Sequence, residues 1–538
     1  MNFREKLSAL GHTRQNTILS ASLVLAITFA LSAVLGFLRS RFLYARFFNC
    51  CVLDLDAYNA AFRLPDLIFK LLVTGALSAS FIPVFTSYLH KDEKKAHEMA
   101  SSVINLLLLV FIFASVIVFI FAKPLSEIIA HGFTPYQINL MASLTRILLL
   151  AQIFFLVSNF FTGILQVNQI FLVPSLSPII YNLFIILSIF ALSPKFGIYG
   201  IVYGTVVGAF FHLAIQIPSL RHINFKYTFS LNHQLAGVKE VIRLMLPSSL
   251  SIGLGEIENT VTLFFASTLA AGSISLLNLA LQLVYLPSRI FSTTVGQASL
   301  PVLSKNVARN EMDQFRETAR KTISQSLFIA FPITVLVLIE RLAIVRLAFG
   351  AKQFPWVATV LTAKTLAFLL PAIILQAVIQ ILIRCFYAFH DTRTPLIISL
   401  VSLVVSVSSS YYFVTFTNLG IVGLAISDTI GNFIQCFWLF YVFIHRIDGT
   451  GWSQTFIHFF KIFIASVGMG LASWLSLRFL DTSVLDSSRT LDLAVISSVS
   501  SLAGIFIFIV LAKLLVLEEL SDYTRQLTRF KRYLFRRL

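Results

Sequence analysis

Long apolar segments recur along the entire chain and constrain its fold more than any other feature. Each approaches the roughly 20 apolar residues that an α-helix needs to cross a bilayer core. With 57% hydrophobic and only 12% charged residues, the chain is too apolar for a soluble globular protein. We therefore predict an all-α polytopic membrane protein with about 14 transmembrane helices. The predicted segments are 17–38, 58–86, 100–122, 143–167, 173–193, 197–218, 241–270, 274–302, 323–340, 356–383, 395–416, 420–444, 456–478 and 493–517.

The distribution of lysine and arginine predicts the orientation. An even number of helices places both termini on one side, and the basic residues are concentrated in the connections that lie inside if the N-terminus is cytoplasmic. The same rule accounts for the net charge of +17, so nucleic acid is not an expected partner. The basic C-terminal tail is instead expected to bind anionic lipid headgroups.

Two stretches of the sequence resemble each other. GIYGIVYGTVVGAFFH begins at Gly197, GIVGLAISDTIGNFIQ begins at Gly420, and their glycines share one offset. Regular glycines also let any two membrane helices pack closely, but that does not explain the common offset. We therefore predict two pseudo-symmetric six-helix lobes, an arrangement that many transporters have. The predicted parts are a cytoplasmic N-terminus (1–16), an N-lobe (17–218), a cytoplasmic linker (219–240), a C-lobe (241–446), two further helices (447–517) and a basic cytoplasmic tail (518–538).

Enzyme motifs are not found in the sequence. It has no G-x-x-x-x-G-K-[ST] phosphate-binding loop, no G-x-S-x-G motif and no H-E-x-x-H zinc motif. Its cysteines show no metal spacing. We therefore predict a protein that is not an enzyme and that has no metal or organic cofactor. A coupling cation or proton is the only small ion that the sequence suggests.

The second apolar segment keeps three charged residues, Arg63, Asp66 and Lys70. Their spacing of three and four residues places them on one face of a helix. A charge at mid-bilayer costs roughly 2.5–3.5 kcal/mol on insertion scales, so this face should line a water-filled cavity or meet partner charges. The alternative is a local ion triad in which Asp66 neutralises its neighbours.

Two further arginines lie in or beside membrane segments, Arg39 at the end of the first and Arg289 within the eighth. Together with Arg63, Lys70, Arg146 and Lys364 they form a candidate cationic interior. If these side chains converge, an anion is the natural ligand, and phosphate is the obvious one.

Acidic and amide residues lie in the seventh and twelfth segments. Glu256 and Asn259 share a helix face, Glu258 is offset from Glu256 by about 200 degrees, and Asp428 lies near Gly431. These residues are candidates for a coupling cation or proton site. The alternative is that an acid pairs with a cation of the other lobe or lies near the interface.

The residues around these charges resemble those of a known family. LSAVLGFLRSRFLYARFF, followed by DAYNAAFRLPDLIFKLLVTGALSASFIPVFTSY, is similar to the signature of MurJ/MviN-type lipid II flippases. LPSRIFSTTVGQASLPVLSK and FYAFHDTRTPLIIS resemble two further regions of that family. The resemblance covers nearly the whole chain and implies the MOP exporter fold, with two six-helix lobes around a cationic cavity and two C-terminal helices that form a groove for a lipid tail.

The resemblance assigns positions to several charged residues. Arg39 and Lys70 stand at arginine positions of the family signature, and Asp56 at its aspartate. Four positions depart from the family pattern: three family arginines are replaced by Ala33, Phe69 and Gln282, and a family acid by Thr74.

The function that the resemblance implies is a lipid II flippase of a bacterial plasma membrane. Lipid II would move from the inner to the outer leaflet by alternating access, and the protein is expected to be a monomer. The expected diphosphate-binding residues are Arg39, Arg63, Lys70 and Arg289, with Asp56, Asp66 and Gln282 as supporting cavity residues. Two alternatives stay open: a flippase or exporter of another polyprenyl-linked glycan, and a non-transporting membrane scaffold.

Overall fold

The computed structural model describes residues 18–74, 77–288, 294–350, 354–447, 452–483, 485–487, 489–521 and 523–525. Every regular element in these ranges is a helix. Arg289 and the end of the basic tail lie outside the described residues.

The second predicted segment is not a continuous α-helix. Two π-helical turns, Lys70–Thr74 and Leu77–Phe81, interrupt it. The α-helices up to the middle of the chain are α1 (Ile18–Phe47), α2 (Val52–Ala61), α3 (Arg63–Phe69), α4 (Ile82–Lys91), α5 (Glu93–Ile120), α6 (Ala122–Ile129), α7 (Pro135–Val167), α8 (Leu172–Ala191), α9 (Ser193–Phe196), α10 (Ile198–Ala214), α11 (Ile217–His222) and α12 (Ala236–Ser267).

The remaining helices follow with short connections. They are α13 (Ser273–Ser288), α14 (Thr294–Ala308), α15 (Met312–Phe349), α16 (Trp356–Leu369), α17 (Pro371–Ala388), α18 (Arg393–Phe416), α19 (Ile421–Arg446), α20 (Trp452–Ser483) and α21 (Thr490–Leu514).

The chain forms two compact units. One consists of Met1–Ser275 with Ala351–Phe354, and the other of Leu276–Gly350 with Pro355–Leu538. The first unit includes α12, which the sequence analysis assigned to the second lobe. The predicted domain boundaries themselves stay a prediction.

Eleven helical stretches within the described residues are long and apolar enough to cross a membrane. The predicted segments without such a stretch are 58–86, 241–270 and 274–302. The first is divided by the π-helical turns, and α12 carries the polar residues Glu256, Glu258 and Asn259, which lower its hydropathy. The third falls on α13 and α14, between which residues 289–293 are not described. The count of 14 therefore stays a prediction.

The internal repeat extends to backbone conformation. Gly197 and Gly420, at the starts of α10 and α19, both have φ of +57°, with ψ of −136° and −131°. Gln169 and His390 also share a positive φ, 62° and 57°, each in the turn that follows a long helix. Two distant parts of the sequence thus form the same turn and the same helix start.

In both parts of the repeat, a glycine lets two helices pack closely, α10 against α8 and α19 against α18. A Cβ at Gly208 on α10 would lie 3.0 Å from the Tyr181 ring of α8, and one at Gly431 on α19 would lie 2.9 Å from the Ser406 Cβ of α18. Small residues let membrane helices approach in this way, so the repeated glycines pack the corresponding helices in both units.

A candidate substrate-binding site on an irregular membrane segment

The irregular part of the second segment carries the charged residues singled out in the sequence. Arg63 begins α3, and Lys70 begins the first π-helical turn. Single π-helical turns inside helices occur frequently at functional sites. This segment is therefore not a regular membrane-spanning α-helix, and its irregular part carries the candidate site residues.

Arg63 and Lys70 meet at one carboxylate. The Lys70 ammonium lies 2.9 Å from Oε1 of Glu256, and the Arg63 guanidinium forms an ion pair with Oε2 of the same residue. The two cations share a helix face, as their spacing predicts. Glu256 belongs to α12, so the carboxylate links this helix to the second segment.

Arg63 has more partners on α12 than Lys70 has. Its Nη2 donates to the Glu256 carbonyl oxygen at 3.0 Å, and its Nε donates to the Thr260 hydroxyl at 3.1 Å. The Thr260 hydroxyl donates in turn to the same carbonyl at 2.7 Å. The guanidinium is thus held by both the side chain and the backbone of one helical turn.

Asp66 does not form the local ion triad that the sequence left open. Its Oδ1 accepts a hydrogen bond of 2.6 Å from the Gln152 amide on α7. It still interacts electrostatically with Lys70, Arg63 and Glu256. Glu256 therefore neutralises the cations by direct contact, and Asp66 adds a second negative charge nearby.

Arg39 is the third cation of the first unit that the sequence singled out. It lies half-buried on α1 and interacts electrostatically with Tyr58 and Tyr181. Tyr181 interacts in the same way with Asp66, so Arg39 belongs to the surroundings of this cluster. Among the residues that the structure describes, no carboxylate lies within salt-bridge distance of Arg39.

An aromatic side chain replaces a family arginine beside Lys70. The ring of Phe69 packs edge-on against Phe155, with centroids 6.4 Å apart, and Phe155 packs against Tyr181 at 5.0 Å. This part of the site is therefore apolar where the family signature is cationic. Lys70 follows Phe69 in the chain, and Arg39 interacts electrostatically with Tyr181 of the same aromatic group.

Asp56 stabilises a helix start. Its carboxylate accepts hydrogen bonds from the backbone N–H groups of Gly272 and Ser275, at 2.6 and 2.9 Å, and from the Ser275 hydroxyl at 2.6 Å. These groups form the first turn of α13, whose free N–H groups attract an anion. In this structure, Asp56 therefore caps the start of α13.

Of the five other candidate residues, four are described by the structure and one is not. Glu258 and Asn259 are half-buried on α12. Asp428 accepts a hydrogen bond of 3.2 Å from Asn432, one turn along α19. Gln282 lies on α13 in the second unit, and Arg289 is not described.

Sequence reasoning missed one buried acid, Glu340 on α15, because the ninth segment was predicted to end there. It is 1% exposed and accepts hydrogen bonds from Ser473 at 3.3 Å, from Ser497 at 2.9 Å and from Ser500. These serines belong to α20 and α21. The signal available in the sequence was the pair of serines three residues apart in ISSVSS, which share a helix face.

Comparison with known proteins finds relatives along most of the chain. A profile of the family described as lipid II flippase MurJ matches residues 51–513. A probable lipid II flippase MurJ of Bdellovibrio bacteriovorus is 27% identical over 525 residues, which cover 96% of this chain and 98% of that protein. The lipid II flippase MurJ of Burkholderia cenocepacia is 25% identical over 464 residues, covering 84% of this chain and 88% of that protein.

Solved structures give the same picture for the fold. A lipid II flippase MurJ in an inward closed conformation aligns with a TM-score of 0.74 and 22% identity, over 94% of this chain and 100% of that one. An inward-facing multidrug resistance MATE family transporter of the MOP superfamily aligns with a TM-score of 0.65 and 16% identity, over 79% of this chain and 98% of that one. The predicted MOP exporter fold is confirmed. The chain belongs to the lipid II flippase MurJ family.

Proposed function

We propose that this chain is a flippase that moves lipid II from the inner to the outer leaflet of a bacterial plasma membrane by alternating access. The family and its curated relatives support this function. The flippase family is a family of transporters, so the chain moves its substrate rather than converting it.

The observation that carries the binding step is the half-exposed Lys70 ammonium on a membrane segment. The Lys70 side chain is 37% exposed, against 15% for Arg63. An intramembrane cation is costly unless it meets charge or water, and a diphosphate supplies both charge and several acceptor oxygens. We infer that Lys70 and Arg39 bind the diphosphate of lipid II, while Arg63 supports the site. Arg289 stays a predicted further ligand of the diphosphate.

The rest of the transport cycle follows the alternating access expected for this fold. The polar headgroup would cross with the diphosphate, while the polyprenyl tail stays in lipid beside α20 and α21. A coupling cation or proton at Glu258, Asn259 or Asp428 is part of the proposal. Glu256, the remaining candidate, is engaged by Arg63 and Lys70.

The proposed setting in the cell follows from charge. Both termini lie in the cytoplasm, where basic segments are enriched. The basic tail binds anionic lipid headgroups. The protein acts as a monomer, as the sequence analysis predicts, because one chain carries both lobes of the fold.

Rescue of a bacterium depleted of its own lipid II flippase tests this proposal. We expect the native chain to restore lipid II exposure on the outer leaflet, and Lys70→Ala and Arg39→Ala to restore much less. Lys195→Ala removes an exposed lysine from the same unit and should behave like the native chain. A native chain that is expressed and inserted but restores nothing would contradict the proposed function.

A further inference from the structure

Lys70 and Arg63 share one carboxylate but are bound to it unequally. Arg63 contacts the Glu256 carboxylate, the Glu256 carbonyl and Thr260. Among the described residues, the Lys70 ammonium has a single hydrogen-bond partner, Oε1 of Glu256 at 2.9 Å. Lys70 is therefore the cation that can change partner without loss of the link between α3 and α12.

The Glu256 carboxylate is well placed to compete with an anionic substrate. It is 8% exposed and forms a direct ion pair with the ammonium of Lys70. A diphosphate carries more negative charge than one carboxylate, so it attracts the ammonium more strongly at the same distance. Exchange of one anion for the other also keeps Lys70 paired, which avoids the cost of an uncompensated charge.

The carboxylate that pairs with these cations comes from a different helix than the cations themselves. The family signature has an acid at the position of Thr74, on the same segment as its cations. Here Thr74 carries no charge, and Glu256 reaches the cations from α12. A change of partner at Lys70 therefore changes a contact between two elements of the first unit.

We propose that Glu256 is a built-in counter-anion, which holds Lys70 while the site is empty and which the substrate diphosphate displaces from Lys70 on binding. When the diphosphate leaves, the carboxylate takes Lys70 back and so favours release. Arg63 stays bound to Glu256 and Thr260 throughout. This inference rests on the proposed function and deepens it, because it assigns a release step to a named residue.

Equilibrium binding of lipid II to the purified full-length chain tests this inference. Glu256→Gln keeps an acceptor for Arg63 but removes the competing charge, so we expect lipid II to bind about fivefold more tightly, the effect of one partly exposed ion pair. The maximal flipping rate should fall, because release is slower. Glu240→Gln removes the same charge from an exposed position of α12 and should leave both unchanged.

A double-mutant cycle shows whether Glu256 acts through Lys70. In a Lys70→Ala background, Glu256→Gln should no longer change the affinity for lipid II. Equal or weaker binding by the folded Glu256→Gln variant would overturn the inference, even if the native chain binds and flips lipid II. A native chain that neither binds nor flips lipid II would instead overturn the proposed function.

The variant Glu256→Asp covers the case in which Glu256→Gln does not fold. Its shorter carboxylate retains the charge but reaches Lys70 less well, so tighter binding of lipid II is again expected, by a smaller factor. Unchanged or weaker binding by the folded Asp variant would overturn the inference.

Discussion

Asp56 shows how a buried carboxylate in the first unit is satisfied by hydrogen bonds. It is 3% exposed and accepts three hydrogen bonds from Gly272 and Ser275. Backbone N–H groups at a helix start have no partners within the helix, and an acidic side chain supplies them. Capping of α13 thus accounts for an aspartate at this position of the family signature.

We predict that Asp56→Ala destabilises the protein because the first turn of α13 loses its acceptor. The loss of a helix cap costs about 0.5–2 kcal/mol, measured as the free energy of unfolding in detergent. Asp54→Ala is the matched control, because Asp54 accepts an exposed hydrogen bond of 2.8 Å from Tyr136. Equal losses for the two variants would contradict the assignment.

The sequence predicted the charges of the site better than their pairing. The spacing of Arg63 and Lys70 is enough to place both on one face. The pairing depends on Glu256, which lies 186 residues from Lys70 in the sequence. Local periodicity contains no information about which distant helix packs against that face. The sequence therefore offered a pairing between such an acid and a cation of the other lobe only as an alternative, and the fold identified Glu256 as the acid.

Glycine at the repeated helix starts fixes the connection between paired helices. Gly197 and Gly420 adopt the same positive φ, and a Cβ at either position would meet nothing within 4 Å. The constraint is therefore backbone conformation alone. This explains why glycine occurs at both positions of the repeat.

We predict that Gly197→Ala and Gly420→Ala destabilise the protein to a similar extent. A residue with a side chain in such a rare backbone conformation costs about 1–3 kcal/mol. The measurement is the free energy of unfolding of each variant. Gly255→Ala, in the interior of α12 with open space around its Cβ, should be neutral or stabilising. A neutral result at Gly197 or Gly420 would contradict the shared turn.

Glu340 connects three helices of the second unit, α15, α20 and α21. No cation pairs with it among the residues that the structure describes, so the three serine hydroxyls carry its polar contacts. A polar group left buried without partners costs about 1–3 kcal/mol. The buried carboxylate of Glu340 therefore depends on the serine hydroxyls for its hydrogen bonds.

We predict that Glu340→Ala lowers the free energy of unfolding by more than about 1 kcal/mol, because the buried hydroxyls of Ser473 and Ser497 lose their acceptor. Glu340→Gln keeps an acceptor and should retain most of the stability. Glu317→Ala, at an exposed position of the same helix, should have little effect. A loss for Gln as large as that for Ala would show that the charge itself is required.

At the scale of the whole molecule, the sequence predicted the class of fold well. Eleven of the described helical stretches have the length and hydropathy of membrane spans, as the apolar segments indicated. The segments that were difficult to predict are those with the candidate site or an irregular backbone. Polar residues in α12 weaken the apolar pattern, and the π-helical turn Lys70–Thr74 interrupts the second segment, so the residues of the candidate site also obscure its secondary structure.

We predict that both termini lie in the cytoplasm. A fluorescent protein that matures only in the cytoplasm should therefore fluoresce when fused to either end of the chain. The basic residues of the connections support this orientation. A periplasmic location of either terminus would contradict it and would imply an odd number of membrane crossings if the other stays inside.

The most direct test of the central claim is transfer of lipid II by the purified full-length chain in liposomes. With labelled lipid II in the inner leaflet, its access to an external reagent is followed over time. We predict faster transfer than in protein-free liposomes, and slower transfer with Lys70→Ala than with the native chain. A folded, correctly inserted native chain that leaves the rate at the protein-free level would contradict the account.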